Sequence, residues 1–241
     1  MSVIAAFFAL LQWTTILPSG RSADFEEFAK RSYLYPVAGY LIGGMAAIPL
    51  LIIPDSLAAA AVALGILFLV SGCNHFDGLL DMGDGLMAHG SREARTRALL
   101  DRQVGTGGVA LGLTITLISF GSLASLAFIP LAVLIAEVSA KASMASLTAL
   151  GRPFHEGIHS YLYWRTRPWF VAPAWLLTVP LFLLPVPGIV VVSGLFGASV
   201  ATLVLLFGAD RLFGGINGDI VGAANEIVRA VALLSMVFVL V

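Results

Sequence analysis

The segment HFDGLLDMGDGL carries aspartates at positions 77, 81 and 84. Spaced at i, i+4 and i+7, Asp77, Asp81 and Asp84 share one face if the segment is helical. Carboxylates this close repel one another, and each raises its neighbours' pKa unless a cation intervenes. An all-oxygen set suits a hard divalent ion, Mg²⁺ or Mn²⁺, which takes a few carboxylates and completes its shell with water and substrate phosphate. The interleaved Gly78, Gly83 and Gly85 weaken a helix yet let a phosphate approach the backbone. The alternative is structural: Asp77 caps a helix while Asp81 and Asp84 pair with arginines or face water. His75 is either a further ligand or a hydrogen-bonded structural group.

The same polar stretch runs on to DRQVGTGG. Asp101 could extend the metal site or serve as a base, and Arg102 could clamp a phosphate oxygen. The turn at Gly105 and Thr106 could offer backbone N–H groups at the start of the next helix, although a plain loop-to-helix turn reads the same way. Within an apolar run, Glu137 and Lys141 stand one helical turn apart. Lys141 is therefore either half of a buried ion pair or a cation kept for phosphate. A last polar segment, GGINGDIVGAANE, adds Asn217, Asp219, Asn225 and Glu226 as candidate substrate contacts, with a flexible surface loop as the alternative.

The elements that must position these groups are read from the apolar runs, each set against the roughly 20 residues that cross a bilayer core. They are Val3–Leu17, Tyr33–Ile53, Leu57–Phe76, Gly107–Ile129, Pro130–Leu150, Trp169–Leu184, Gly188–Gly208 and Ile227–Val241. The expectation is an all-α, polytopic membrane protein of about eight helices, or seven if the short first run lies in the interface or re-enters. The runs are too long and uniformly apolar for the alternation of a membrane barrel. No linker or repeat divides the chain, so residues 1–241 read as one membrane-embedded catalytic domain with an Asp-rich loop over 77–106.

Polar connections alternate with tight turns that hold no Lys or Arg. Arg21, Lys30, Arg31, Arg92, Arg95, Arg97, Arg102, Arg152, Arg165, Arg167 and Arg211 all fall in the polar set. The positive-inside rule makes that face cytoplasmic, which places the candidate site on the cytoplasmic side of the cell membrane. Hydrophobic residues make up 59% of the chain and charged ones 11%, less than half the charged share of about a quarter in soluble domains. A net charge of −1 gives no basic field for nucleic acid. Cys73 is the only cysteine, which rules out an intramolecular disulfide and a multi-thiolate zinc site. The first run lacks a basic start and a cleavage site, so it reads as retained. Small-residue pairs such as Gly39 and Gly43 allow helix packing within a chain or between copies in a homo-oligomer.

Taken together, HFDGLLDMGDGL, DRQVGTGG, YPVAGYLIGG and GGINGDIVGAANE resemble the cobalamin-5′-phosphate synthases, the adenosylcobinamide-GDP ribazoletransferases. The likeness begins near Leu17 and Pro18, includes Tyr35, Pro36, Gly39, Glu156 and Gly157, and closes with Gly218, Asp219, Asn225 and Glu226. It implies an enzyme that joins α-ribazole or its 5′-phosphate to adenosylcobinamide-GDP and releases GMP. Asp77, Asp81, Asp84, Asp101, Gly105 and Thr106 fall on the family's motif positions. Arg102–Gln103 replaces a small residue followed by Arg, and Lys141 replaces a frequent Arg; a Lys neutralises phosphate but lacks the bidentate fork. Two rival readings are a CDP-alcohol phosphotransferase, whose Ala-Arg pair after the first Asp-Gly is missing here, and an ion-coupled transporter, for which no inverted repeat is visible.

Overall fold

Backbone in hydrocarbon must close its hydrogen bonds internally, and in the computed structural model the apolar runs do so as helices. The structure describes residues 3–18 and 24–240; Arg21, one of the expected loop cations, lies outside them. In chain order the helices are α1 (Val3–Thr14), α2 (Phe25–Ala29), α3 (Tyr35–Ile52), α4 (Ser56–Val70), α5 (Asn74–Met87), α6 (Arg92–Leu99), α7 (Thr106–Ser125), α8 (Ala132–Leu150), α9 (Ile158–Tyr163), α10 (Val171–Leu176), α11 (Gly188–Phe213) and α12 (Gly218–Phe238). Among the described residues the extended pairing is an isolated parallel bridge between Pro153 and Ile216.

Among the described residues, five stretches are long and apolar enough to cross a membrane: Ser32–Ile52, Thr106–Ser125, Ala132–Leu150, Gly188–Phe213 and Gly218–Phe238. Helices α4 and α5 add a sixth only if a pair bent by 92° counts as one span. The fold is therefore all-helical with five or six candidate spans, and the other two expected runs form shorter pieces. Helix α1 has 12 residues, about 18 Å at 1.5 Å per residue, well short of a core of roughly 30 Å. Residues 168–183 divide into a 3-10 turn at Pro168–Phe170, α10, and a second 3-10 turn at Val179–Leu183. Pro173 and Pro180 lack the N–H that a continuous helix needs.

The run Leu57–Phe76 breaks at Gly72 and Cys73, both left-handed with φ of 62° and 60°. Glycine takes this region freely, whereas Cys73 is there at a steric cost. The bend frees α5, with its three aspartates, from the direction of α4. We take α5 as lying at the polar end of the bundle, outside the spans. The connection expected as an Asp-rich loop over 77–106 is thus largely helical: α5 carries the aspartates and α6 follows.

Helix α8 is buried from Ala132 to Ala149 and forms the axis of the bundle. Its Ala- and Ser-rich sequence lets neighbours approach closely. A Cβ on Gly39 would stand 2.8 Å from the Val138 Cα, and one on Gly43 would stand 2.9 Å from the Leu134 Cα. That glycine pair is therefore used within the chain, packing α3 on α8.

The polar segments meet at one end. Arg92 donates to the Arg211 carbonyl at 3.2 Å, Thr96 donates to the Phe213 carbonyl at 3.4 Å, and the Ile216 N–H donates to the Arg152 carbonyl at 2.8 Å. Glu26 ties α2 to α9, accepting from the Tyr161 hydroxyl and from Arg165 at 2.6 Å. Those two donors, Tyr161 first, hold its carboxyl down at about 2.

Candidate active site

Helix α5 is positioned by its glycines. A Cβ on Gly78 would stand 2.5 Å from the Asp219 carbonyl of α12, and one on Gly83 would stand 2.7 Å from the Gly107 carbonyl of α7. Gly85 faces Phe213 and Leu99 at 2.8 and 2.9 Å. These glycines therefore serve helix crossing; the expected approach of a phosphate to their backbone finds neighbouring helices already there. The acids stand beside these glycines, with Asp77 exposed and Asp81 and Asp84 half-buried.

Asp219, in the first turn of α12, faces the same group. Burial, reinforced by the carboxylates of Asp219, Asp77 and Asp84, pushes the Asp81 carboxyl up to about 7. Asn217 caps α12, accepting from the Ile220 N–H at 3.0 Å and donating to Asp219 at 2.6 Å. The four carboxylates form a negative field, yet among the described residues no group of three or more His, Cys, Asp or Glu side chains converges as a preformed metal site. The donor chemistry fits a hard divalent cation, with Asp77, Asp81, Asp84 and Asp219 as the oxygens available to it.

Asp84 already has a second role. Its two oxygens accept the N–H groups of Gly105 at 2.6 Å and Gly108 at 2.8 Å. It therefore caps the start of α7, where a negative charge is favoured by the helix dipole. The N–H groups of Gly105 and Gly108, read in the sequence as a cradle for phosphate, are occupied by this carboxylate. Thr106 and Arg102 are exposed beside them. Asp101 is exposed and accepts from the Gln103 N–H at 3.0 Å; it is not among the acids that act on Asp81.

A cavity of about 370 Å³ opens next to the cluster. Its walls include Trp13, Phe28, Tyr35 and Leu162, and Asp77 and Asp219 line its polar side. A smaller recess of about 170 Å³ adjoins it, sharing Asp219 and His159 and adding His155. His159 is buried and donates through Nε2 to the Gly151 carbonyl at 2.9 Å. Burial, partly opposed by that bond, depresses its pKa to about 4, so the ring is neutral at physiological pH.

Lys141, Asn225 and Glu226 lie deeper. Lys141 is 0% exposed and pairs with Glu137 at 3.5 Å; Glu137 also accepts from Arg229 at 3.1 Å, and Arg229 donates to Glu226. Asn225 donates to Glu226 at 3.4 Å. Two cations and two anions cancel between α8 and α12, which is how charge is tolerated inside apolar packing. Lys141 is thus held inside the protein and is not placed to meet a phosphate; it lies behind the cavity wall, its ammonium 3.4 Å from His75 Nε2 and 3.6 Å from the Met144 sulfur. The sequence reading passed over Arg229, although its place three residues after Glu226 in an apolar run was a usable signal. Trp13, Phe28 and His159 carried no such signal, and Tyr35 entered only as a point of family likeness, because the four come from separate segments and meet only in the fold.

A family model described as Cobalamin-5-phosphate synthase matches residues 6–237. Among curated relatives, an adenosylcobinamide-GDP ribazoletransferase of Methanosarcina mazei is 35% identical, covering 97% of this chain and 91% of its own. That of Methanocella arvoryzae is 36% identical over 87% and 86%, and that of Halorubrum lacusprofundi 35% over 96% of each. No solved structure matches. With nearly its whole length covered by one family model and by relatives of one name, the chain belongs to the cobalamin-5-phosphate synthase family.

Proposed function

We propose that this protein is an adenosylcobinamide-GDP ribazoletransferase of the cell membrane, working at the end of the bundle where α5, α7 and α12 meet. The observation that carries the reading is the group of four carboxylates on α5 and α12 beside a cavity, in a chain whose relatives share that name. A ribazole hydroxyl oxygen forms a bond to the phosphorus on the cobinamide side of the pyrophosphate, the bond from that phosphorus to the oxygen of GMP breaks, and GMP leaves. The hydroxyl proton passes to a carboxylate or to water.

Asp77 and Asp219 line the cavity and are the nearest bases for that hydroxyl. Asp77, Asp81 and Asp84 would hold Mg²⁺ or Mn²⁺, with Asp219 facing them; a bound ion neutralises charge developing on the departing phosphate. The support is the all-oxygen donor set and the burial, reinforced by neighbouring carboxylates, that leaves Asp81 near 7. Asp84, anchored to α7, would orient the set, and Asp77 and Asp81 would supply the oxygens left free for an ion. Arg102, exposed at the same end, neutralises substrate phosphate. The Lys and Arg of the polar connections, from Lys30 to Arg211, support a cytoplasmic position for this end by the positive-inside rule.

The test is to incubate the purified protein with adenosylcobinamide-GDP, α-ribazole and Mg²⁺. GMP appearing together with a cobamide product supports the reading. GMP release without a cobamide product, or no reaction at all by a folded protein, overturns it.

A further inference from the structure

Helix α5 carries Asp77 in its first turn and Asp84 in its last, and its two ends are held differently. The Asp84 end is tied to α7 through the N–H groups of Gly105 and Gly108. The Asp77 end starts at Cys73, which is left-handed and whose side chain makes no capping bond. A helix start without a cap leaves its first N–H groups short of partners and frays readily. Close packing sets its distance from α12: a Cβ on Gly78 would stand 2.5 Å from the Asp219 carbonyl, and one on Gly222 would stand 3.4 Å from the His75 Cα. Contacts of that kind are non-directional, whereas a hydrogen bond also constrains rotation.

His75 supplies such a bond. It stands two residues before Asp77, is buried, and has its Nε2 3.4 Å from the Lys141 ammonium of α8. An ammonium has three donors and no acceptor, so Nε2 accepts. Lys141 meets Glu137 at 3.5 Å, the Met144 sulfur at 3.6 Å and His75. The first two belong to α8, so among the described residues the one polar contact of Lys141 beyond its own helix is with α5. Lys141 is 0% exposed, and no bulk water replaces that contact if it is lost. Behind it, Glu137 accepts from Arg229 of α12, and Arg229 donates to Glu226. The charges of α8 and α12 cancel, and what they present to α5 is one oriented N–H. We propose that Lys141 and His75 are positioning residues: their bond fixes the first turn of α5, and with it the direction of the Asp77 carboxylate, while neither touches substrate. The buried network then serves geometry in addition to its own neutrality. This inference rests on the transferase reading for what Asp77 does, and on the contact alone for what holds it.

The test uses His75→Leu and His75→Gln in the full-length protein in detergent. Leucine fills the space without an acceptor, whereas the glutamine oxygen keeps one for Lys141. If leucine prevents folding, His75→Asn, whose amide stops one bond short of Lys141, takes its place with the same expected outcomes. Hydrogen exchange read by mass spectrometry reports the backbone over residues 74–80, and GMP release gives kcat and KM. In His75→Leu, exchange over 74–80 should rise roughly tenfold while the segment around Asp84 and Gly105 stays as in wild type. Its kcat should fall roughly tenfold or more, with the KM for each substrate within about twofold of wild type. His75→Gln should restore both. A merely structural role would lower the melting temperature and leave kcat and the local exchange where they were. Wild-type kcat or wild-type exchange over 74–80 in folded His75→Leu overturns the proposal, as does a His75→Gln protein impaired as badly as His75→Leu. If the wild-type protein releases no GMP, the transferase reading fails, and the exchange comparison alone decides whether this bond holds the first turn of α5.

Discussion

Asp81→Asn separates a cation site from a structural carboxylate most sharply, because the structure predicts that it stabilises the protein while disabling it. Burial first, and then the carboxylates of Asp219, Asp77 and Asp84, raise the Asp81 pKa from 3.8 to about 7. A folded-state value above the unfolded one means that the folded protein holds the proton more tightly, so stability falls as pH rises from about 4 through 7. Fully expressed, that shift would cost ~4 kcal/mol above pH 7; at a half-exposed site solvent screening reduces it to the order of 1 kcal/mol. Asparagine removes the charge. In EDTA at pH 8 the variant should therefore melt slightly above wild type, and the two should converge near pH 4. Mg²⁺ should raise the melting temperature of wild type and not of the variant. Turnover should fall roughly 100-fold or more, ~2.7 kcal/mol of transition-state stabilisation. Asp84→Asn should behave oppositely in stability. Its carboxylate accepts two N–H groups at 2.6 and 2.8 Å, and an amide has one acceptor oxygen for both, so about 2–3 kcal/mol should be lost. Thermal unfolding in detergent and a GMP-release assay read all of these. A folded Asp81→Asn protein with near wild-type turnover, or one less stable than Asp84→Asn, would refute the reasoning.

Excess EDTA should stop GMP release and Mg²⁺ or Mn²⁺ should restore it; full turnover in EDTA removes the cation from the mechanism. In a Cys73→Ser background, cysteines placed at Ser91 and Ser160 should react only with reagents that reach the cytoplasm, and labelling from outside would reverse the orientation. Glu137→Gln deprives Lys141 and Arg229 of the anion they share and should destabilise the protein by about 3–5 kcal/mol. Melting within 1 kcal/mol of wild type would show that the buried network is loosely coupled.

Run length, hydropathy and the segregation of Lys and Arg are local properties, and they were enough for an all-helical membrane protein with its acids gathered at one end. The ordered Asp and Gly motifs were likewise enough for the family. The number of spans was less legible, since whether Val3–Thr14 and residues 168–183 cross depends on helix length and on breaks at Pro173 and Pro180. What each motif residue touches was decided only by the fold. Gly78 and Gly83 read equally well as room for phosphate or for a helix, and the packing of α12 and α7 chose the helix. Asp84 found its partners 21 and 24 residues away, and Lys141 met His75 across 66. The cavity joins Trp13, Phe28, Tyr35 and His159 from four separate helices. Sequence spacing constrains neighbours within a turn or two of one helix; partners across helices are set by which faces pack, and that choice is made by the whole chain at once.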